Sequence, residues 1–249
     1  MEDELLLKRL ADLANIAYQR DIPQFSDFLT LNELSIYHRY VKDYTFIKNV
    51  VVGGIDGAER CMIGFIPEMF IETYEAPITV LSIKPLNQKF SSELTHRDFL
   101  GSILNLGIER TKLGDILVED NSALVFCANS MADYIITNLT RVKNTPVLVS
   151  IFENEVATVE AKYEEIIGSI SSLRLDCVLS LAFNKARSKV VAYIEEGKVF
   201  VNGRIITTNS YNIKEQDVIS VRGLGKLKYI NTSSVTKKGR FYVKLHKYI

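Results

Sequence analysis

The sequence predicts an α+β protein in three parts, residues 1–75, 76–155 and 173–249. Three observations carry this. Apolar residues at helical spacing open the chain, residues 78–151 run strand, helix, strand, strand, helix, strand, and the last third pairs two short helices with Gly-punctuated strands. A chain of 249 residues exceeds one small core and suits two or three compact parts. Nearly half of its residues are apolar, so it is expected to fold.

The N-terminal part is an α/β segment. Leu6, Leu10, Leu13 and Ala17 recur at helical spacing and predict an amphipathic helix over 2–20. A second helix is expected from Asp27 to Tyr40, entered after Pro23. Strands follow at Thr45–Val52 and Cys61–Ile66, with Gly53-Gly54-Ile55-Asp56-Gly57 between them. Glycine-rich loops can cradle phosphate, but this one lacks a following Gly-Lys-Ser/Thr and reads as a turn.

In the central part, Ile78–Lys84 is a predicted strand and Thr95–Leu106 a helix, with Thr95 as cap and Asp98 three residues on. Asp115–Glu119 and Ser122–Ala128 are strands joined at Asp120-Asn121, followed by a helix at Met131–Leu139 and a strand at Pro146–Phe152. This is the β-α-β-β-α-β order of ferredoxin-like and RRM-like domains. RRM sheets stack bases on aromatic residues of their central strands. The third strand here, Ala123-Leu124-Val125-Phe126-Cys127, has one aromatic and no basic residue, and the first has no aromatic, so base stacking by this sheet is not expected. The acidic stretch 153–172 reads as a strand extension and a joint.

In the last part, Leu175, Val178, Leu179 and Ala182 mark one helix face. A second helix, Arg187–Glu196, is expected to bury Val190, Val191 and Ile194 and to stop at Gly197. Asn202-Gly203 between Lys198–Val201 and Arg204–Ile206 is a strong hairpin signal, and further strands are expected near Val218–Val221 and Phe241–Leu245.

Charge separates these parts. The chain is balanced at 30 basic and 30 acidic residues. Residues 173–249 carry 15 basic and 5 acidic side chains, a net of 15 − 5 = +10, whereas residues 1–172 carry 15 and 25, a net of 15 − 25 = −10. A basic end on an acidic body points to a polyanion partner. Within the basic part, Lys185, Arg187 and Lys189 crowd the start of the second helix, where cations oppose the helix dipole. That placement makes sense if the same spot receives a phosphate. The hairpin adds Lys198, Asn202 and Arg204, and the Gly-punctuated segment 222–228 adds Arg222, Lys226 and Lys228. With Arg174 and Ser188, these residues are expected to form one shared positive face for RNA phosphate and sugar.

Cys61, Cys127 and Cys177 are far apart among apolar neighbours and His38, His96 and His246 are scattered, which predicts reduced core thiols, no metal site and no cofactor. The acidic start lacks signal-peptide character, and no apolar run is long enough to span a membrane, so a cytoplasmic location is expected.

Arg174-Leu175-Asp176, Ala186-Arg187-Ser188-Lys189, Glu196–Gly203 and Asp217–Gly223 resemble an S4 RNA-binding domain over about 50 residues. Thr95–Gly101, Leu106–Arg110, Leu113–Ile116 and Gly53-Gly54 with Ala58-Glu59-Arg60 resemble the bacterial YlmH family. The resemblance implies an α-L-type S4 module gripping structured RNA on the large ribosomal subunit, rRNA with tRNA as a further contact, in rescue of stalled nascent chains. An older label ties the family to cell division. One departure stands out: Ala186 occupies a position where S4 domains commonly have Ser, so the helix cap must come from elsewhere, with Asn184 as the candidate.

Two other functional classes bear on this sequence. An RNA-modifying enzyme is disfavoured, because the Arg-Leu-Asp run belongs to the S4 helix and no Gly-rich cofactor loop follows a strand. His96, Arg97 and Asp98 are adjacent on one helix and diverge, so they form no catalytic cluster. A scaffold that offers its acidic N-terminal body to a protein partner is compatible with RNA binding.

Overall fold

The computed structural model describes residues 2–87, 93–153, 163–235 and 239–248. The chain divides into two compact units, Met1–Val159 and Glu160–Ile249.

The first unit opens with α1 (Glu2–Arg20), whose Leu10, Ala14 and Ala17 are fully buried. Strand β1 (Gln24–Phe25) follows. The next helix, α2 (Leu31–Tyr40), starts later than its composition implied. Thr30 caps it and shares a capping box with Glu33, while Asp27 stays outside and pairs with Arg9 and Lys112, each at 2.6 Å. Strands β2 (Lys48–Val52) and β3 (Met62–Ile66) complete a sheet of order β1-β3-β2. The strand expected from Thr45 begins only at Lys48, because a 3-10 turn occupies Val41–Tyr44.

The rest of this unit contains β4 (Ile78–Pro85), α3 (His96–Leu104), β5 (Leu113–Glu119), β6 (Ser122–Ala128), α4 (Asn129–Asn138), β7 (Arg141–Val142) and β8 (Thr145–Ile151). Their sheet has the order β5-β6-β4-β8-β7, with every pairing antiparallel. Thr95 and Asp98 form the expected capping box on α3. Asp120 and Asn121 both take positive φ, 46° and 62°, as a tight hairpin between β5 and β6 requires. Phe99 and Ile103 of α3 and Ala132 and Ile135 of α4 pack with Leu81, Ile83, Val125 and Val149 on one face of this sheet.

Arg60 ties the two sheets of the unit together. Its side chain is buried and donates to the carbonyls of Leu113 at 2.8 Å, Phe28 at 2.9 Å and Arg110 at 3.1 Å. Asp115 accepts from the backbone N–H groups of Glu59 at 2.9 Å and Arg60 at 3.1 Å. The Gly53–Gly57 segment is a turn, and Gly54 (φ +88°) lets the backbone pass so close to Phe126 that a β-carbon there would lie 2.5 Å from the ring.

The second unit contains β9 (Tyr163–Ile170), α5 (Leu175–Ala182), α6 (Arg187–Glu195), β10 (Val199–Val201), β11 (Arg204–Ile205), β12 (Val218–Val221), β13 (Gly225–Val235) and β14 (Phe241–Tyr248). They build a six-stranded antiparallel sheet of order β11-β10-β12-β13-β14-β9. Leu175, Val178, Leu179, Ala182, Val190 and Ile194 are buried as expected, whereas Val191 is half-buried. Gly197 (φ +68°) ends α6, and Asn202 and Gly203, both at positive φ, form the hairpin turn.

The stretch read as a strand extension and a joint contains β9. Residues 154–162 of it lie outside the described residues, but Tyr163–Ile170 pairs along its whole length with β14, from Phe241↔Ile170 to Tyr248↔Tyr163.

Candidate nucleic-acid interface

The start of α6 gathers the first cluster of cations. Asp176, in the first turn of α5, has a side chain only 2% exposed. It accepts from Arg174 Nε at 3.1 Å and Nη2 at 3.2 Å, and from Arg187 Nη2 across the helix pair. Burial alone would raise the Asp176 carboxyl, but the two guanidiniums outweigh it and hold the group below the usual carboxylate range. One buried anion thus sets two guanidiniums side by side at the helix tip. Ser188 and Lys189 are exposed there and Lys185 is half-buried.

Asn184 does not cap α6. It sits at φ 47°, in the left-handed region, and makes the turn between the helices; the N-cap is Ala186, with no side-chain cap. No side chain caps the start of α6, where Arg187 and Lys189 stand, so a phosphate there would complete the helix end as a cap does.

A cleft beside this tip is lined by Ser169, Ser171, Ser180, Asn184, Arg187 and Arg240. Arg240 donates to the Ser169 carbonyl at 2.7 Å and the Ser169 hydroxyl at 3.2 Å. Sequence reasoning missed Arg240, because only the pairing of β14 with β9 brings residue 240 next to residue 169.

The structure divides the remaining candidates. In antiparallel pairs, directly opposed residues share a face and neighbours along a strand alternate. Val199, Val201, Ile219, Val221, Leu227 and Tyr229 face the helices and form the core with α5 and α6. Arg204, opposite Val201, shares their face. Phe200, Ser220, Lys226 and Lys228 take the opposite face, with Ser220 opposite Lys226 and Phe200 opposite Ser220. Arg222 lies over the Phe200 ring at 5.4 Å. Lys198 pairs with Glu196 at 2.5 Å and sits 5.5 Å from the Tyr193 ring. Asn202 is spent on the fold: it donates to Asp217 at 2.8 Å and accepts from the Val218 N–H at 2.9 Å. Arg174, Lys185, Arg187, Ser188 and Lys189 are thus brought together, while Arg222, Lys226 and Lys228 belong to the outer side of the sheet. The single positive face expected from the sequence is two faces, because strand parity sends residues 226 and 228 away from the helices.

In the first unit, Phe126 is fully buried, so it offers no ring to a base. Asp98, bonded by Thr95 and Lys143, is held down to about 2 and serves the cap of α3. Cys61, Cys127 and Cys177 are all buried, and burial pushes the Cys127 thiol up to about 12. Among the described residues no helix is long and apolar enough to cross a membrane.

Comparison with known proteins places these features. Residues 173–219 match the S4 domain model, and residues 72–156 match the model described as "Putative RNA-binding domain in YlmH". The chain thus carries a region that matches the S4 domain and one that matches an RNA-binding domain described for YlmH. It is similar to "Ribosome-associated protein quality control protein P2" of Bacillus subtilis (strain 168), with 27% identity over 197 residues, 77% of this chain and 74% of the relative. Among solved structures it resembles "Cell division protein ylmH from Streptococcus pneumoniae", with a TM-score of 0.50 and 20% identity, covering 64% of this chain and 96% of that one; this likeness concerns the fold alone. The S4 match ends at residue 219, before β13 and β14, so Arg240 and the outer lysines Lys226 and Lys228 lie beyond it.

Proposed function

We propose that the chain is a non-catalytic, cytoplasmic RNA-binding protein that docks on structured rRNA of the large ribosomal subunit, next to tRNA, in the handling of stalled nascent chains. One observation carries the reading: the buried Asp176 carboxylate holds Arg174 and Arg187 together at the uncapped start of α6, where Lys185 and Lys189 adjoin Arg187 in sequence and Arg240 lines the cleft beside it. A phosphate there would meet backbone N–H groups, the helix dipole and guanidiniums at once. The ribosomal setting is supported by the printed name of the Bacillus subtilis relative. Arg174, Lys185, Arg187, Ser188 and Lys189 are the phosphate and sugar contacts of this reading, with Lys198, past the other end of α6, and Arg204 of the hairpin as further candidates. Recognition of this kind reads RNA shape more than sequence.

The order β4-α3-β5-β6-α4-β8, with sheet order β5-β6-β4-β8, supports an RRM-like central domain over 76–155. Residues 1–75 form an N-terminal α/β piece joined to it through Arg60, and 173–249 form the S4 domain, extended by β9.

Co-sedimentation with large ribosomal subunits tests the proposal. Arg187 neutralises buried Asp176, so reversing it endangers the fold. Lys185→Glu with Lys189→Glu reverses charge at the same tip without touching that pair. The double variant is expected to keep its circular dichroism spectrum and lose subunit binding; retained binding excludes the α6 tip. The net −10 over residues 1–172 favours a second role as a protein scaffold linked to cell division. In that case protein partners persist after nuclease treatment, whereas ribosome-bridged ones are lost.

A further inference from the structure

We infer that the open edge of β2, with the groove at its start, takes up an extended cationic segment of a partner protein as a further strand. This deepens the reading of the acidic body as a protein scaffold, on which it rests, and is independent of the RNA contacts of the C-terminal unit.

The edge follows from hydrogen-bond parity. β2 is the outer strand of the order β1-β3-β2. On the other side of β3, the Ile63 carbonyl accepts from the Ser26 N–H at 2.9 Å, and Cys61 exchanges bonds with Leu29 at 2.8 and 3.4 Å. Main-chain groups alternate along an antiparallel strand, so Met62, Gly64 and Ile66 point to β2 and bond Val52, Val50 and Lys48 opposite them. Asn49 and Val51 therefore turn their N–H and C=O groups outward, and no described residue bonds those groups.

The other sheet edges are blunted. β1, β7 and β11 have two residues each, β5 carries a register shift between Leu113 and Ile116, and β9 carries Glu164 and Glu165. β2 has Lys48 at its first position and then Asn49-Val50-Val51-Val52, with no further charge, no bulge and no proline. Such an edge is a template for another strand.

The groove adds side-chain recognition. It measures about 640 Å³, the size of a ligand cleft, and Tyr18, Phe46, Ile66 and Ile71 line its apolar part. Tyr18 and Phe46 meet edge to face with ring centroids 5.5 Å apart, yet stay 60% and 45% exposed. Open apolar surface of this kind marks a contact site. Asp21 and Glu68 line the groove against one cation, Lys48, and none of the three forms an ion pair among the described residues.

This combination selects the partner. Outward N–H and C=O groups in strand register are matched by an extended polypeptide, whereas a helix has already bonded its own main chain. Residues 1–75 carry 7 basic and 13 acidic side chains, a net of 7 − 13 = −6. That charge repels a polyanion and a second copy of this chain alike, and attracts a segment rich in lysine or arginine.

A fluorescein-labelled octapeptide of alternating lysine and valine tests the inference, its binding to the full chain read by anisotropy. The same peptide with all of its amides N-methylated, which cannot donate to a strand edge, and an alternating glutamate–valine octapeptide are the controls. Wild type is expected to bind the lysine peptide and neither control. Val51→Pro removes one outward N–H and no bond to β3, and an edge strand tolerates proline at such a position. It is expected to weaken binding about 2- to 13-fold, the worth of one net hydrogen bond. Asp21→Asn with Glu68→Gln, both exposed, removes the acids of the groove without touching the sheet and is expected to weaken binding about 2- to 30-fold, the worth of two surface ion pairs. The inference is overturned if wild type does not bind the lysine peptide, if either control binds equally well, or if Val51→Pro, folded by circular dichroism, binds as wild type does. Should that variant not fold, unchanged binding by Asp21→Asn with Glu68→Gln overturns it instead. A wild-type dimer in sedimentation equilibrium that Val51→Pro dissolves gives the edge to a second copy and equally overturns it. Partner proteins that persist after nuclease treatment on wild type and on Val51→Pro alike leave the scaffold reading standing and overturn the edge alone.

Discussion

Asp176→Asn is the sharpest perturbation of the C-terminal unit, because it removes one charge and little volume. The carboxylate accepts two bonds from Arg174, at 3.1 and 3.2 Å, and a further one from Arg187. Hydrogen bonds to charged groups contribute about 1.5–3 kcal/mol each. The guanidinium-bearing side chains are 37% and 54% exposed, so water recovers part of what they lose, and the asparagine carbonyl still accepts from one of them. A net loss of about 2 kcal/mol follows, or a urea midpoint lower by about 1 M. The assay is urea unfolding of the full chain, with hydrogen-exchange mass spectrometry reporting on peptides from 175–195. The pH dependence carries its own sign. Asp176 is depressed in the fold, burial being outweighed by Arg187 and Arg174, so its stabilisation is complete above the unfolded carboxyl value and fades as pH falls through the folded one. The gap between wild type and variant should be constant near neutral pH and shrink below about pH 4. A gap under about 0.5 kcal/mol, smaller than one net hydrogen bond, or one that is the same in acid as at neutrality, would refute the assignment of Asp176 as the anchor of both arginines.

Three further outcomes are expected. Five cations gather at the α6 tip (Arg174, Lys185, Arg187, Lys189 and Arg240), so affinity for structured RNA should fall with a log–log salt slope of about −4, flattening to about −2 in Lys185→Glu with Lys189→Glu; a flat wild-type profile counts against phosphate contacts. Arg60→Met strands the carbonyls of Phe28 and Arg110, while that of Leu113 keeps Arg110 Nη1 at 2.7 Å, and should cost about 3 kcal/mol in urea unfolding of the first unit; a cost under about 1 kcal/mol would mean that the two carbonyls find other donors. Thr95→Ala removes the hydroxyl and cap geometry that hold Asp98 down to about 2, so an NMR titration should show its carboxyl moving up toward the ordinary range, short of it because Lys143 remains at 2.9 Å. In wild type the stabilisation from Asp98 persists to low pH and is lost as pH falls toward about 2; the variant should lose it earlier.

Features governed by a few neighbouring residues were legible from the chain alone. The buried stripe Leu175, Val178, Leu179 and Ala182, the stop at Gly197, the Asn202-Gly203 hairpin, the Thr95–Asp98 box and the Asp120-Asn121 turn all depend on side chains within one or two turns of each other. So did the basic character of the last third. Features that depend on distant strands were not. The stretch around Tyr163–Ile170 reads as a strand extension and a joint, but its partner is β14, more than 70 residues later, and the same pairing carries Arg240 to the α6 tip. Alternation along Lys226-Leu227-Lys228-Tyr229 puts the lysines on one side and the apolar residues on the other. That this side faces away from Arg187 and Lys189 is decided only when α5 and α6 settle on Leu227 and Tyr229. Local backbone chemistry specifies the elements, but the direction in which a strand residue points relative to a helix tip is set by burial of the opposite face. Burial requires the whole sheet.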